Sequence, residues 1–428
     1  MASVRQILHI DMNAFYAACH SANDPRQYAH RPIAVAGNPE TRHGVIVTAS
    51  YEARARGVRT TMTVPQALRI CPELILIRPD FSLYRSYSRK VFDIVRRFTP
   101  LVEIVSIDEC YADVTGSRQF GDSVQIANTI QDTILEELKL PCSIGVADCK
   151  FFAKMGSNLK KPLGIIYIGQ DNFRRVLWPL PVGEMHGVGE QTAKKLWSMN
   201  IRTIGQLAAC DANRLRTAFG VRGVFLKAMA CGQDERAVSN ERKPAKSVGH
   251  SVTLPEDVAT LEALQRILLN LADQVGRRAR KHQAVGRSVA ITIRYANRNT
   301  ITRRTTMPYA TDLTEHIYQY AKMLLQSNWQ MNRPVRLLGV ALCDLAAKDT
   351  AKTSIQTELF GADDLKAEFT HMQKLKKLTK VTDTLRNRFG EDIIIRGRML
   401  EPDVSNALRN HRTRGTSLQT DQLFEKEE

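Results

Sequence analysis

Three acidic residues stand where acids are costly. Asp11 closes the apolar run Ile7-Leu8-His9-Ile10-Asp11-Met12, and Asp108 and Glu109 sit inside Val102-Glu103-Ile104-Val105-Ser106-Ile107-Asp108-Glu109-Cys110-Tyr111. Stripping water from an isolated carboxylate is so unfavourable that buried acids are paired or bound to metal. Two such strands side by side would gather three hard oxygen ligands at one point. That donor set suits Mg²⁺ shared with substrate phosphates rather than a metal held by imidazole or thiolate, and it is the set used in two-metal phosphoryl transfer. The simpler reading is that each acid ends a strand and turns to solvent. The eight cysteines form no Cys-x-x-Cys and have no matching histidine spacing, so they read as small buried hydrophobes rather than zinc ligands.

The elements that must position these acids follow from the patterning. Up to about residue 168, short apolar runs alternate with helical patterns, an α+β signature. Pro32-Ile33-Ala34-Val35-Ala36 and Gly44-Val45-Ile46-Val47-Thr48 read as a hairpin, followed by short helices near 51–56 and 65–70. From 171 to 233 the chain becomes short helices punctuated by glycine. There His186-Gly187-Val188-Gly189-Glu190 reads as a turn whose amides open a helix and face a phosphate; a plain helix–helix corner is the alternative. Residues 239–247 are polar and basic, a linker. Beyond them Leu261, Leu264, Leu268, Leu271 and Val275 recur at helical spacing and lead to Arg277, Arg278, Arg280 and Lys281 at the helix end. A strand over 288–295, a turn at 297–299, a second strand carrying Arg303 and Arg304, a helix near 314–326 and a strand over 337–342 complete a β-α-β-β-α-β order. The arginines on this sheet are candidates for phosphate contacts, whereas Lys374-Leu375-Lys376-Lys377 reads as a solvated face and 406–428 as a disordered polar tail.

Composition points the same way. A chain of 428 residues implies more than two domains, and 61 Lys and Arg against 44 Asp and Glu, with a pI near 9.6, predict attraction to a polyanion. No apolar run approaches the ~20 residues that span a bilayer. The start, Met1-Ala2-Ser3-Val4-Arg5, leads into a strand rather than a signal peptide, so the expectation is a cytoplasmic protein.

Four motifs in order resemble those of the Y-family, translesion DNA polymerases, closest to the bacterial polymerase IV branch. They are Asp11-Met12-Asn13-Ala14-Phe15-Tyr16; Thr48-Ala49-Ser50-Tyr51-Glu52-Ala53-Arg54; Ser106-Ile107-Asp108-Glu109; and Ser143-Ile144-Gly145-Val146-Ala147 with Lys160-Lys161-Pro162-Leu163-Gly164. Asn13 stands where many members carry a second aspartate, and Cys149 where an asparagine is common. The resemblance implies an α+β multidomain right hand: palm at 1–31 and 72–170, fingers at 32–71, a helix-hairpin-helix thumb at 171–238, the linker at 239–247, a little finger at 248–350, and a C-terminal segment at 351–428. It implies low-fidelity, template-directed addition of dNTPs to a primer on DNA, with two Mg²⁺ ions. Asp11, Asp108 and the Met12 carbonyl would hold the ion on the triphosphate, and Glu109 would join Asp11 and Asp108 around the second.

Phe15, Tyr16, Thr48, Tyr51, Arg54 and Lys161 are the implied nucleotide contacts, with backbone amides over 13–16 cradling the triphosphate. Alternation along an extended segment would send one of Phe15 and Tyr16 into the core and the other over the site; the family pattern makes Tyr16 the steric gate against a 2′-hydroxyl. Gly187, Gly189, Arg277, Arg278, Arg303 and Arg304 are the candidate DNA contacts. Gln356-Thr357-Glu358-Leu359-Phe360 resembles the peptide by which bacterial proteins dock on the sliding clamp, with Gln356, Leu359 and Phe360 as anchors. Gln419-Thr420-Asp421-Gln422-Leu423-Phe424 is a looser echo. The expected assembly is a monomer at the nucleoid. Two competing readings are a two-metal nuclease, in which Tyr16 and the triphosphate-binding cations would have no task, and a non-catalytic DNA-binding scaffold, against which the presence of all three acids argues.

Overall fold

The computed structural model describes residues 5–37, 44–241, 244–348, 362–390 and 393–399, with side chains of the last long helix described from residue 373 onward. The chain forms two compact units, divided between residues 242 and 243. Among its described residues the first contains eight strands: β1 (Ile7–Met12), β2 (Ile33–Ala36), β3 (Ile46–Ala49), β4 (Ile75–Ile77), β5 (Val102–Ile104), β6 (Glu109–Asp113), β7 (Cys142–Ala147) and β8 (Ile165–Ile168). Five of them make one sheet in the order β5-β6-β1-β7-β8, with β1 antiparallel to both neighbours.

The two faces of this sheet separate by the period of two that a strand imposes. Leu8, Ile10 and Met12 join Cys110, Ala112, Ile144 and Val146 in a core shared with the helices Phe81–Arg96 and Ser123–Leu138. Ile7, Tyr111 and Ala147 belong to the opposite face, packed with Phe151, Phe152 and Met155 of the helix Lys150–Leu159. His9 and Asp11 share that second phase, so Asp11 leaves the apolar helix layer and meets the Lys150–Leu159 helix instead. The same core continues through Phe173, Leu177, Leu196 and Leu226 of the following helices, so the helical segment expected from its glycine punctuation is rooted on the sheet.

Gly145 sets how close that helix comes. It lies opposite His9 in the sheet, and a Cβ built on it would fall 1.9 Å from the Ala153 carbonyl oxygen. Gly156 answers from the helix side, its own Cβ position 3.1 Å from the Gly145 Cα. Two glycines thus let helix backbone rest on strand backbone.

A second sheet, β3-β2-β4, contains the expected hairpin, and the helices Tyr51–Ala55 and Val64–Ile70 cover it. Its third strand, β4, runs parallel to β2 and was not anticipated, because three residues are too few to show periodicity. The sheet therefore extends past residue 71.

The second unit has β9 (Ser247–Val258), β10 (Ala284–Tyr295), β11 (Thr300–Thr311) and β12 (Val335–Ala347) in the order β11-β10-β12-β9. The helices Leu261–Lys281 and Thr314–Asn328 bury Leu264, Leu268, Leu271, Val275, Ile317, Ala321 and Leu325 against it. This is the β-α-β-β-α-β order read from the sequence, with strands longer than expected. A further helix, Ala362–Phe389, was not foreseen in the C-terminal segment. It is pinned by ion pairs, Arg386 to Asp273 at 2.9 Å and Arg280 to Asp383 at 2.6 Å, which no apolar stripe announces. Among the described residues no helix is long and apolar enough to cross a membrane.

Candidate active site

Asp11 on β1 is in direct register with Glu109 on β6, and the Met12 amide donates to the Asp108 carbonyl at 3.0 Å, so the three acids come from adjacent backbone. Their charge is met from the helix on that face. The Lys154 ammonium donates to Asp11 Oδ2 at 3.0 Å and also to Glu109 Oε2, while Lys161 donates to Asp11 Oδ1 at 2.7 Å. Asp108 turns to another partner, accepting from the Ser106 hydroxyl at 2.5 Å. Among the described residues no three carboxylate, imidazole or thiolate side chains are gathered closely enough to hold an ion as they stand. The donors are nonetheless hard oxygens on paired strands, with a cation between two of them. Their chemistry fits a divalent metal in the place where the ammonium sits.

The electrostatics follow from burial. Burial pushes the Asp108 carboxyl above the ordinary carboxylate range; the Ser106 hydrogen bond opposes this, and the Asp11 and Glu109 charges add to it. Burial pulls Lys154 down, but Asp11 and Glu109 outweigh it and hold the ammonium above the usual lysine value. His9, fully buried beneath, is lowered well below the ordinary imidazole value by burial and then by Lys154 and Lys161, so it is neutral. Ser157 Oγ lies 2.8 Å from His9 Nδ1 and within 3.0 Å of the Lys154 carbonyl, and His9 Nε2 lies 3.6 Å from Glu109 Oε2.

Around this centre the other nucleotide candidates take definite places. Tyr51 opens the Tyr51–Ala55 helix; its hydroxyl is buried without a hydrogen-bond partner among the described residues. Burial raises that phenol, Arg54 opposes the shift and Asp11 adds to it. The Arg54 guanidinium lies 4.9 Å over the Tyr51 ring and donates from Nε to the Ala49 carbonyl at 2.9 Å, and Thr48 sits on β3 opposite Val35. Asn13, one of the two departures, is buried. Its amide donates to Ser143 Oγ at 3.1 Å and accepts from the Leu163 N–H at 2.9 Å, which ties the loop carrying Lys161 to the sheet. An aspartate there could only accept, so the Ser143 hydroxyl would have to turn and donate to it. At the other departure, the Cys149 side chain makes no cap for the Lys150–Leu159 helix. The remote carboxylate of Asp234 caps it instead, accepting from the Phe151 N–H at 2.8 Å.

Two expectations are corrected here. The segment after Asn13 is not extended: Ala14 takes a left-handed φ of 48° and the helix Phe15–Asn23 begins at once. Phe15 is buried and Tyr16 half-buried because they occupy successive positions of a helical turn rather than opposite sides of a strand. Tyr16 stacks on Tyr84 with ring centroids 4.3 Å apart, and Tyr84 is fixed by a 2.8 Å bond to His20. The Asn13 amide does not belong to a phosphate cradle, since it donates to the Pro141 carbonyl at 2.9 Å.

Gly187 and Gly189 lie on an exposed turn before the helix Glu190–Ser198, anchored by buried Val188. The turn needs Gly187 for its φ of +92°, and Arg222 donates to its carbonyl at 3.2 Å. In the second unit Arg303 and Arg304 are exposed on the edge strand β11, where Arg303 donates to Asn328 at 3.0 Å and Arg304 pairs with Asp344. Arg277 and Arg278 are half-buried, donating to Asn387 at 2.9 Å and to the Gly249 carbonyl at 3.0 Å. Gln356, Leu359 and Phe360 and the second peptide lie outside the described residues. Sequence reasoning missed Lys154. The available signal was a lysine inside the apolar helical run Phe151-Phe152-Ala153-Lys154-Met155, which asks for a buried counter-charge as the acids do.

The fold is shared with solved Y-family polymerases. A Y-family DNA polymerase chimera superposes with a TM-score of 0.71 at 24% identity over 79% of this chain and 98% of that one. An insertion ternary complex of Dbh DNA polymerase gives 0.56 over the same shares. The architecture is accordingly the α+β right hand: a palm, fingers, a helical thumb and a little finger. Residues 10–158 match the impB/mucB/samB family and residues 245–359 that family's C-terminal domain. DNA polymerase IV of Oceanobacillus iheyensis is 44% identical over 391 residues, 91% of each chain, and DNA polymerase IV 1 of Bacillus subtilis is 43% identical over 418 residues, 97% of each. The chain belongs to the impB/mucB/samB family and is a Y-family, DNA-directed DNA polymerase of the bacterial polymerase IV branch.

Proposed function

We propose that this polymerase adds dNTPs to a primer 3′ end on a DNA template with low fidelity, in translesion synthesis at damaged DNA, as a monomer in the cytoplasm at the nucleoid. The observation that carries this reading is the cross-strand pair of Asp11 and Glu109, with Asp108 beside it and two lysines over it. Asp11, Asp108, Glu109 and the Met12 carbonyl would hold two Mg²⁺ ions, which when bound would lower the pKa of the primer hydroxyl and offset charge on the α-phosphate and the departing pyrophosphate.

The chain's own groups do the rest. Lys161, Arg54 and the orphaned Tyr51 hydroxyl place donors and positive charge for triphosphate oxygens, with Thr48 on the adjoining strand. Phe15 is packed in the core behind the site. The Tyr16 ring, backed by Tyr84, excludes a 2′-hydroxyl by contact. The Gly187 and Gly189 turn and Arg277, Arg278, Arg303 and Arg304 meet the DNA backbone, which positions a duplex without reading it. Gln356, Leu359 and Phe360 dock on the sliding clamp. The palm is the five-stranded sheet with its helices, the fingers the β3-β2-β4 sheet from residue 32, the thumb 171–238, the linker 239–247 and the little finger the second unit from 248. The relatives' name, DNA polymerase IV, and the neighbour's description as an insertion ternary complex support the choice of substrates.

The test is extension of a labelled primer with dNTPs and Mg²⁺, with DNA binding measured on the same preparation. Asp108→Asn and Glu109→Gln are expected to abolish addition while leaving DNA affinity nearly intact. Robust extension by either variant refutes the assignment.

A further inference from the structure

We propose that Lys154 is a built-in counter-cation that holds Asp11 and Glu109 together when no divalent ion is bound and yields its place when one arrives. The inference rests on the metal-dependent reading above and deepens it. Three observations carry it.

The ammonium bridges Asp11 Oδ2 and Glu109 Oε2, residues that face each other across β1 and β6. It is therefore where a cation shared by those two groups would lie. Secondly, it is a buried, constructed contact: the Lys154 side chain is 11% exposed against 28% for Lys161, which reaches only the far oxygen of Asp11. Thirdly, the helix that delivers it cannot drift. Gly145 and Gly156 set backbone on backbone, and Asp234 caps the helix start. What can move is the flexible four-carbon stem of the lysine.

Without Lys154, two like charges on adjacent strands would repel and open the site, at a cost to the sheet. With it the acids stay close, but Asp108 is left to Ser106 and the three never converge on one point. Binding an ion then requires exchanging one cation for another. Lys154 lowers the affinity of the free enzyme for metal, so that metal held firmly by the acids alone is disfavoured until substrate phosphates add their charge.

The test uses Mn²⁺ alone, with neither DNA nor nucleotide, its free fraction read by electron paramagnetic resonance. Lys154→Met keeps the length of the stem and removes the charge, and it is expected to tighten Mn²⁺ binding at least tenfold, since a unit charge within contact distance is removed. Lys154→Arg keeps the charge and should stay within a few-fold of wild type. In EDTA the Met variant should melt below wild type, and Mg²⁺ should raise its melting temperature more than that of wild type. Unchanged or weaker Mn²⁺ binding by a folded Lys154→Met overturns the proposal. Should that variant not fold, lysine Nζ NMR on wild type decides: a slowly exchanging ammonium signal, absent in Lys154→Arg, is expected to vanish as Mg²⁺ is added, and its persistence at saturation overturns the proposal. Wild-type primer extension is run alongside. Extension with unmoved Mn²⁺ affinity rejects the counter-cation and keeps the polymerase reading, whereas no extension rejects that reading while the Mn²⁺ data still judge Lys154.

Discussion

Replacing Gly145 with alanine tests how the palm positions its lysines. The added Cβ would lie 1.9 Å from the Ala153 carbonyl oxygen and 2.6 Å from the Ser157 nitrogen. Ordinary contact begins near 3.4 Å, so the helix Lys150–Leu159 must retreat by about 1.5 Å, and because both atoms are backbone no rotamer change can absorb it. Overpacking of this kind costs about 1–3 kcal/mol. The retreat would also draw the backbone that carries Lys154 away from Asp11, stretching its 3.0 Å contact, and loosen the Ser157 contact with His9. A misplacement of roughly 1 Å in a supporting element can lower turnover by about 10²-fold. The assay is urea denaturation for stability, with single-nucleotide insertion measured at a temperature where both proteins are folded. Loss of stability together with a fall in kcat on the order of 10²-fold is expected. A Gly145→Ala protein with wild-type stability and wild-type kcat would show that the helix–strand contact neither holds the fold nor places the site.

Four further outcomes are expected. Tyr16→Ala should admit ribonucleotides without a comparable loss of dNTP insertion, read as the ratio of kcat/KM for the two; an unchanged ratio returns Tyr16 to a packing role. Neutralising Arg303 and Arg304 together should lower the slope of log K for DNA against log salt by about one unit for each phosphate no longer neutralised, and a constant slope leaves them as solvated surface. Asp273→Ala strands the Arg386 guanidinium, whose side chain is only 2% exposed, and should cost about 3–5 kcal/mol in denaturant unfolding of the chain, with a change near zero arguing that the C-terminal helix is not held by this pair. Leu359→Ala with Phe360→Ala should abolish stimulation by a loaded clamp and leave extension on naked DNA unchanged; loss of stimulation on truncating Leu423 and Phe424 instead would move the docking site to the tail.

What the amino-acid sequence determined by itself was whatever shows as an anomaly or a period within a short window. Asp11, Asp108 and Glu109 stand out because a charge in an apolar strand is expensive wherever that strand ends up, and the little-finger order is legible because its helices and strands are long enough to repeat. Contacts made over long separations were decided only by the tertiary structure. Lys154 lies 143 residues from Asp11, and it reaches that carboxylate because Gly145 lets its helix settle on the sheet. Whether an acid faces a lysine, as Asp11 does, or a neighbouring hydroxyl, as Asp108 does, depends on that packing. The helical start at Phe15 turns on one left-handed residue, Ala14, which no propensity favours. Arg277 and Arg278 share their residue type and exposed-looking context with Arg303 and Arg304, yet a helix that begins 85 residues after Arg277, at Ala362, takes Arg277 as a partner and the β9 backbone takes Arg278. Charge reads locally in a sequence; its counter-charge is chosen by the fold.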